Sequence, residues 1–205
     1  MTTREPTICL VDDEPSVLRA LDRLLRSAGY CVAAFACPEA FLSGYDREQA
    51  GCLLLDLTMP GMSGMDVQQR LNEVGAHLPI VFLSGYGDIP TTVRAIKYGA
   101  VDFLTKPVSE EALFAAVREA LAKNAADRLS SAERALIQRR LASLTPRELE
   151  VLKHVVTGKL NKQIAAELGT VEKTIKVHRA RAMQKMQAKS LAELVRMTER
   201  VGLGS

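Results

Sequence analysis

The chain has 205 residues, of which 47% are hydrophobic and 25% are charged. This composition is typical of a globular protein with a sizeable core, and it excludes general disorder and fibrous architectures. No apolar run in the sequence approaches the roughly 18 residues of a membrane span, and two acids follow the short apolar run near the N-terminus. We therefore expect a cytoplasmic protein that has no membrane partner.

The net charge of +3 is unevenly distributed along the chain. Residues 1–140 carry 15 Lys and Arg against 18 Asp and Glu, a net charge of −3, whereas residues 141–205 carry 12 against 6, a net charge of +6. A compact basic segment is the electrostatic signature of a polyanion-binding protein, because Lys and Arg neutralise phosphates and release counterions. The two parts of the chain are thus expected to have different partners.

The four cysteines, Cys9, Cys31, Cys37 and Cys52, all lie in the first quarter of the chain and lack C-x-x-C spacing. Three of them are in or beside apolar, strand-like segments. We therefore expect buried free thiols rather than a disulfide or a metal site.

Residues 1–122 alternate short apolar runs with amphipathic helical patterns. Because parallel strands need helix-sized crossovers, five such repeats predict an α/β domain. We expect a doubly wound (βα)5 parallel sheet of the flavodoxin or CheY type, with helices on both faces. The five predicted strands are residues 8–11, 31–35, 52–55, 80–83 and 101–104.

Residues 123–142 are predicted to form a helical linker. The segment contains no Gly or Pro, and Leu129, Ala132 and Leu136 recur at helical spacing. A weak coiled coil, a solvated single helix and a continuation of the preceding helix all stay open as forms of this linker.

Residues 143–205 are predicted to form an all-α, four-helix domain. The sequence Thr-Pro-Arg-Glu at 145–148 combines a capping box with proline at the first helical position. Asn161 is predicted to cap the second helix, a three-residue link separates it from the third, and Ser190 begins the fourth. Short helices joined by so tight a turn indicate a helix-turn-helix domain.

Reactive polar residues follow several of the predicted strands. Open parallel sheets bind ligands at the carboxyl ends of their strands, so these side chains are expected to converge. Crowded carboxylates repel one another, and a divalent cation relieves that repulsion; Mg²⁺ suits a set that contains neither His nor Cys. The residues in question are Asp12, Asp13, Asp56, Ser84 and Lys106.

The segments LVDDEPSV, LLLDLTMPGMSGMDV and IVFLSGYGDIPTTVRAIKYGAVDFLTKPV resemble, in order and spacing, the receiver domain of two-component response regulators. The resemblance covers residues 5–122. It implies that Asp56 is the phosphoacceptor for a sensor histidine kinase. It also implies that Asp13, Asp56 and the backbone carbonyl of Thr58 ligate Mg²⁺, while Asp12 acts through water.

The same resemblance gives roles to three further residues. Ser84 is expected to hydrogen-bond one phosphoryl oxygen and Lys106 to pair with another. Phe103 stands at the family's switch position, where many receivers have tyrosine, so Ser84 and Phe103 are expected to act as a switch; an ordinary core role for Phe103 stays open. These roles agree with phosphoryl-transfer chemistry, which requires positioning and cationic stabilisation but no base to activate a carboxylate.

The segment GKLNKQIAAELGTVEKTIKVHRARAMQKMQAKSLAELV resembles the LuxR-type helix-turn-helix domain. Together with the receiver, it makes the chain similar to the NarL/FixJ family, in its FixJ-like subgroup. Helical spacing predicts that Ile175, Ala182 and Met186 are the buried side of the recognition helix. The residues expected to face bases in the major groove are Lys173, Lys176, Val177, Ala180 and Arg181, and those expected to bind phosphates are Lys162, Thr174, Arg179 and Lys185.

The turn before the recognition helix departs from the family pattern. Thr170 and Val171 stand where the family usually has an aliphatic residue followed by serine. We therefore expect this helix to lack its side-chain N-cap, at a cost of about 1 kcal/mol.

These patterns predict a DNA-binding response regulator that accepts a phosphoryl group on Asp56, dimerises and regulates transcription, by family analogy as an activator. Its expected partners are a cognate sensor histidine kinase, double-stranded promoter DNA, RNA polymerase and a second copy of the chain. It is expected to catalyse only its own phosphorylation and dephosphorylation, so we do not expect an enzyme.

Three alternatives stay open. The first is a phosphorylation-independent DNA-binding regulator whose receiver serves only for dimerisation. The second is a thiol redox sensor that uses Cys31 and Cys37. The third is an enzyme that hydrolyses phosphate esters, which would need a second acid where the chain has Thr58.

Overall fold

The structure is a computed structural model, and it describes residues 5–46, 48–76, 78–85 and 89–203. Contacts divide the chain into two compact units, residues 1–128 and 129–205. The division falls inside the segment predicted to be a linker. Within the described residues, no helix is both long enough and apolar enough to cross a bilayer.

The described residues of the first unit form five strands, each followed by a helix, and the last of these helices continues into the second unit. The strands are β1 (Thr7–Val11), β2 (Cys31–Phe35), β3 (Gly51–Asp56), β4 (Ile80–Ser84) and β5 (Asp102–Thr105). The helices are α1 (Pro15–Ser27), α2 (Pro38–Gly44), α3 (Gly64–Glu73), α4 (Ile89–Lys97) and α5 (Glu110–Ala142). The strands pair in parallel in the order β2-β1-β3-β4-β5. The predicted doubly wound α/β sheet is therefore confirmed.

The sheet is buried on both faces because alternate residues of its strands enter separate cores. Leu53, Leu55 and Phe82 belong to one hydrophobic cluster, whereas Leu54 and Leu83 belong to another. Successive side chains of a strand point to opposite faces, so these clusters lie on the two sides of the sheet. Burial on both sides explains why the strands read as continuous apolar runs rather than as alternating patterns.

Helix α5 is continuous over 33 residues. Its first part contributes Leu113 and Val117 to a core of the first unit, and Ile137 lies in the core of the second. Leu129 and Leu136, two members of the predicted seam, are exposed. Of the three forms considered for the linker, the structure has the continuation of the preceding helix.

The second unit adds four short helices to the end of α5. They are α6 (Pro146–Val156), α7 (Asn161–Glu167), α8 (Glu172–Met186) and α9 (Leu191–Glu199). The capping box at the start of α6 is confirmed, because the side chains of Thr145 and Glu148 each accept a hydrogen bond from the other's backbone N–H. The fourth helix was predicted to begin at Ser190; Ser190 is its N-cap residue, and Ser190 Oγ accepts from Glu193 N at 3.1 Å.

The start of α7 differs from the prediction. Leu160 occupies the N-cap position and Asn161 is the first helical residue, so Asn161 does not cap this helix. Gln163 Oε1 instead accepts the backbone N–H of Leu160 at 2.8 Å. Asn161 Oδ1 accepts from Arg179 Nη1 at 3.2 Å, which links the two helices on either side of the tight turn.

The expected loss of the side-chain cap at α8 is confirmed. Val171 is the N-cap residue and makes no side-chain cap bond. The first N–H groups of α8 therefore lack the side-chain acceptor that Ser, Thr, Asp or Asn supplies at most helix starts.

Candidate functional site

The strand order brings the predicted acidic residues to one edge of the sheet. Asp12 follows β1 directly, Asp56 ends β3, and Ser84 ends β4. Lys106 follows β5. Because β1, β3, β4 and β5 are consecutive neighbours, their carboxyl ends form a row, and the side chains that continue from them meet there.

Lys106 joins two of the carboxylates directly. Its Nζ donates to Asp12 Oδ2 at 2.7 Å and to Asp56 Oδ1 at 2.6 Å. The side chains of Asp12 and Asp56 are 0% and 6% exposed, and that of Lys106 is 17% exposed. Two carboxylates are thus held together in a buried place by one ammonium group.

The ionisation of Asp56 and Lys106 reflects this burial. Desolvation raises the pKa of Asp56 above 3.8, and the negative charge of Asp12 adds to the rise, which the hydrogen bond and charge of Lys106 only partly oppose. Burial lowers the pKa of Lys106, but its bonds to Asp12 and Asp56 outweigh that effect and raise the pKa above 10.5. Lys106 therefore stays cationic at neutral pH.

Backbone groups orient the same side chains. Asp12 Oδ1 accepts from the N–H of Glu14 at 2.9 Å, and Asp56 Oδ2 accepts from the N–H of Thr58 at 3.0 Å. The N–H of Lys106 donates to the carbonyl of Ser84 at 2.7 Å, and the bond from Lys106 to Pro107 is cis. Each acid is therefore fixed by the loop that follows its own strand.

Gly64 is a positioning residue that the sequence reasoning missed. A Cβ at this position would lie 2.4 Å from the backbone oxygen of Asp56 and 3.0 Å from the ring of Phe82. The N–H of Gly64 also donates to the carbonyl of Leu57 at 2.9 Å. Only glycine lets α3 begin this close to Asp56. A glycine directly after the capping Ser63 was the available sequence signal.

The remaining predicted site residues lie around this centre. Ser84 is 2% exposed at the end of β4, and Asp13 is half-buried beside Asp12. Phe103 is half-buried on β5, where its ring centroid lies 6.2 Å from that of Phe82. Phe103 thus packs against a core cluster. Its role as a switch stays a prediction.

The oxygen donors at this edge suit Mg²⁺. Among the residues that the structure describes, no group of three or more His, Cys, Asp or Glu side chains is arranged to hold a metal ion. Mg²⁺ at phosphoryl-transfer sites needs only one or two carboxylates, because it retains waters and binds phosphate oxygens. Asp12 and Asp56 supply two such carboxylates without His or Cys, and Asp13 is adjacent. The donor chemistry therefore fits this ion.

The structure gives little support to the redox-sensor alternative. All four are free. Burial raises the pKa of Cys9 to about 11 and that of Cys52 to about 12. Cys31 and Cys37 are half-buried rather than buried as expected, and a hydrogen bond to Glu5 raises the pKa of Cys31. Because the thiolate is the reactive form, a raised pKa opposes a sensor role for Cys31.

In the second unit, α8 presents one buried and one exposed side. Ile175, Ala182 and Met186 are buried, as predicted. The residues expected to face bases are exposed, namely Lys173, Lys176, Val177, Ala180 and Arg181. Lys162 is exposed as well, whereas Thr174 and Arg179 are half-buried. The exposed side of α8 is therefore basic and also carries the apolar side chain of Val177.

Lys185, one of the predicted phosphate contacts, has partners within the protein. Its Nζ donates to Glu148 Oε2 at 2.6 Å and to the carbonyl of Ser143 at 3.1 Å. Because the Glu148 side chain is only 3% exposed, its charge needs this partner. The ion pair gives Lys185 a structural role, and its contact with a phosphate stays a prediction.

This ion pair predicts a pH-dependent stability of the second unit. The hydrogen bond from Lys185 and that from the backbone of Thr145 lower the pKa of Glu148 from 4.5 to about 2. A carboxyl whose pKa is depressed by folding contributes stability above pH 4.5, and that stability is lost as the pH falls towards 2. We expect Glu148→Gln to melt at a lower temperature than wild type at pH 7, and the difference to shrink by pH 2.5.

Circular dichroism melts of the full chain measure this effect. Glu150→Gln is the matched control, because Glu150 lies on the same helix and its side chain is 47% exposed. A melting difference for Glu148→Gln that stays the same at pH 7 and pH 2.5 would contradict the assigned ion pair.

Both units of the chain match families of known proteins. Residues 8–118 match the response regulator receiver domain family. Residues 142–198 match the family of bacterial regulatory proteins described as the luxR family. The two matches together span both units of the chain.

Relatives match over nearly the full length. The response regulator protein TodT of Pseudomonas putida strain F1 is 49% identical over 98% of this chain and 88% of its own. The transcriptional regulatory protein FixJ of Bradyrhizobium diazoefficiens is 39% identical over 99% of this chain and 98% of its own. The solved structure of the response regulator StyR has a TM-score of 0.85 at 47% identity, covering 96% of this chain and 100% of StyR. The chain therefore belongs to the NarL/FixJ family of two-component response regulators, with a receiver domain and a LuxR-type DNA-binding domain.

Proposed function

We propose that this protein is a transcription regulator controlled by phosphorylation of Asp56. The observation that carries the proposal is the contact of the Lys106 ammonium with Asp56 at the carboxyl edge of the sheet. A carboxylate at the end of β3 with a fixed cation beside it has the arrangement that phosphoryl transfer requires. The exposed basic side of α8 supplies an output surface in the same chain.

The phosphoryl donor is a phosphohistidine of a sensor kinase. A bond forms between phosphorus and a carboxylate oxygen of Asp56 while the phosphorus–nitrogen bond breaks, and the imidazole leaves with that electron pair. No base is needed because the nucleophile is a carboxylate. Asp13, Asp56 and the carbonyl of Thr58, with Asp12 acting through water, would hold a Mg²⁺ ion, which would supply positive charge to the phosphoryl oxygens.

Lys106 and Ser84 bind the transferred group. Phosphorylation adds a charge of about −1.5 to −2 and three acceptor oxygens. The Lys106 ammonium already contacts an oxygen of Asp56, so it needs little movement to pair with a phosphoryl oxygen. Ser84 ends the neighbouring strand, and its hydroxyl binds a second oxygen. Movement of the Ser84 loop frees space for Phe103, which lies on the strand paired with β4.

Phosphorylation remodels the face formed by α4, β5 and α5, and this face then forms the dimer contact. Helix α4 carries an exposed apolar row of Ile89, Val93 and Ile96, which are 78%, 45% and 44% exposed. Exposed apolar rows of this kind are typical of protein interfaces. We place the contact between two phosphorylated receivers on this face, and a two-fold DNA site then binds two basic domains. By family analogy the outcome is activation through RNA polymerase.

The DNA-binding part of the proposal predicts a loss of affinity when Lys176 is replaced. Its side chain is 63% exposed, and its ion pair with Glu172 at 3.0 Å is a surface pair of small energetic value. We expect Lys176→Ala to weaken a specific complex by about tenfold, because a contact to a base or phosphate is removed. Footprinting on a duplex that wild type selects from random-sequence DNA measures the effect.

Lys153→Ala is the matched control, since Lys153 is an exposed lysine on α6 of the same unit. The control should bind like wild type. An unchanged footprint and affinity for Lys176→Ala would remove Lys176 from the DNA contacts.

A further inference from the structure

The two ends of the recognition helix α8 are held differently. Its N-cap residue, Val171, makes no side-chain cap bond. At the other end Gln187 is the C-cap residue, in the left-handed conformation with φ of 55°. The last carbonyls of a helix lack intrahelical partners and need donors from elsewhere.

Arg140, in the last turn of α5, supplies these donors. Its Nη1 donates to the carbonyl of Met186 at 3.1 Å, and its Nη2 donates to Gln187 Oε1 at 2.5 Å. A guanidinium at a helix C-terminus both satisfies a free carbonyl and complements the negative end of the helix dipole. Arg140 therefore binds the end of α8 from a helix 46 residues earlier in the chain.

Further contacts fix the surroundings of this bond. Ile137, one turn before Arg140, is buried in the same core as Met186. Arg200 Nη1 pairs with Glu133 Oε2, so α5 is also tied to the end of α9. Lys185 reaches the carbonyl of Ser143 just beyond α5. The last turns of α5 are thus built into the helix-turn-helix unit, and Arg140 is the residue among them that bonds the backbone of α8.

We propose that Arg140 is a positioning residue for DNA recognition, one that fixes the C-terminal end of α8 without binding DNA itself. The proposal rests on the DNA-binding function proposed above. Core packing of Ile175 and the bond from Arg179 to Asn161 hold the earlier part of α8, and the contact with Arg140 fixes its C-terminal end and so contributes to its angle in the groove. Arg140 then raises the affinity for DNA through the geometry of the helix, while its charge is already engaged within the protein.

The neighbouring Arg139 provides a matched control. It is exposed, and replacing it removes the same charge one residue away. The test uses the full chain, the duplex that wild type selects from random-sequence DNA, and fluorescence anisotropy at several salt concentrations. We expect Arg140→Ala to raise Kd about tenfold, equal to about 1.4 kcal/mol. Arg139→Ala should bind like wild type, and Arg140→Lys, which keeps one donor, should recover part of the loss.

The salt dependence separates positioning from a direct phosphate contact. Removing a phosphate contact lowers the slope of log K against log salt concentration by about one, whereas removing a positioning residue leaves the slope unchanged. Equal Kd values for Arg140→Ala and Arg139→Ala, or a slope reduced by about one in Arg140→Ala alone, would overturn the proposal.

The test also separates a failure of folding and a failure of DNA binding from a failure of the positioning role. If Arg140→Ala fails to fold, Arg140→Met takes its place, because methionine keeps an aliphatic side chain but has no donor, and wild-type affinity and helix-end protection in that variant would overturn the proposal. Hydrogen exchange at residues 186–189 should be faster in Arg140→Ala than in Arg139→Ala. If wild type selects no duplex even after treatment with acetyl phosphate and Mg²⁺, the DNA-binding function itself is refuted and the positioning role with it.

Discussion

Replacing Asp56 with asparagine will abolish labelling of the protein by acetyl phosphate. The substituted side chain would be a neutral amide, which cannot form the acyl phosphate that a carboxylate forms. Two other acids belong to the site: Asp12 is held by Lys106 and by the N–H of Glu14, and Asp13 is the proposed metal ligand, so neither replaces the acceptor. A phosphate-dependent mobility shift on a gel measures the labelling.

Asp127→Asn controls for the loss of one carboxylate, because Asp127 lies on α5 with a side chain that is 44% exposed. This variant should be labelled like wild type. Acid-labile phosphate that persists on Asp56→Asn would show that another residue is the acceptor.

Replacing Lys106 with methionine is expected to change both stability and chemistry. It leaves Asp12 and Asp56 buried and facing each other without their shared cation. Breaking a buried ion pair from one side typically costs about 3–5 kcal/mol, and the partial exposure of Lys106 places this case near the lower figure. The variant also lacks a cation beside the phosphoryl oxygens, so labelling by acetyl phosphate should slow by about 100-fold.

Urea unfolding without Mg²⁺ measures the first effect, and the rate of labelling with Mg²⁺ measures the second. Lys97→Met is the control, since Lys97 is exposed on α4. Added Mg²⁺ should stabilise Lys106→Met more than wild type, because the ion then replaces the missing charge. Wild-type stability in Lys106→Met would contradict the assigned contact with the two acids.

Much of the fold was predictable because local patterns and tertiary structure agree. The strands are short apolar runs separated by helical segments, and a parallel sheet is the arrangement that buries such runs on both faces. The strand β5 begins one residue later than predicted, at Asp102 rather than at residue 101. Helix starts with strong caps, at Thr145 and Ser190, were also predictable, whereas Asn161 was wrongly assigned as a cap.

The sequence predicts which residues form the acidic site, but it does not predict the contacts between them. The positions of Asp12, Asp56 and Lys106 after neighbouring strands require them to be near one another. Sequence does not show that one ammonium bridges both acids, since this depends on the path of the loop after β5. Gly64 was missed because it is needed only where the backbone of Asp56 comes close to it, and that approach exists only in the folded chain.

Long-range contacts in the second unit were not predictable. Lys185 follows the pattern of an exposed basic residue on a recognition helix, yet its charge is engaged by Glu148, 37 residues earlier. Arg139 and Arg140 look equivalent in the sequence, and only the packing of Ile137 decides which of them reaches α8. Helical periodicity predicts the face of the helix on which a side chain lies, but the partner of that side chain depends on which helix packs beside it.

The central claim is that a phosphoryl group on Asp56 controls the binding of DNA by the second unit. The decisive measurement is the Kd of the full chain for its selected duplex, with and without acetyl phosphate and Mg²⁺, in wild type and in Asp56→Asn. We expect phosphorylation to tighten binding by wild type by about tenfold or more, within the usual range of coupling between sites, and to leave Asp56→Asn unchanged. Equal affinity of phosphorylated and unphosphorylated wild type would contradict the account.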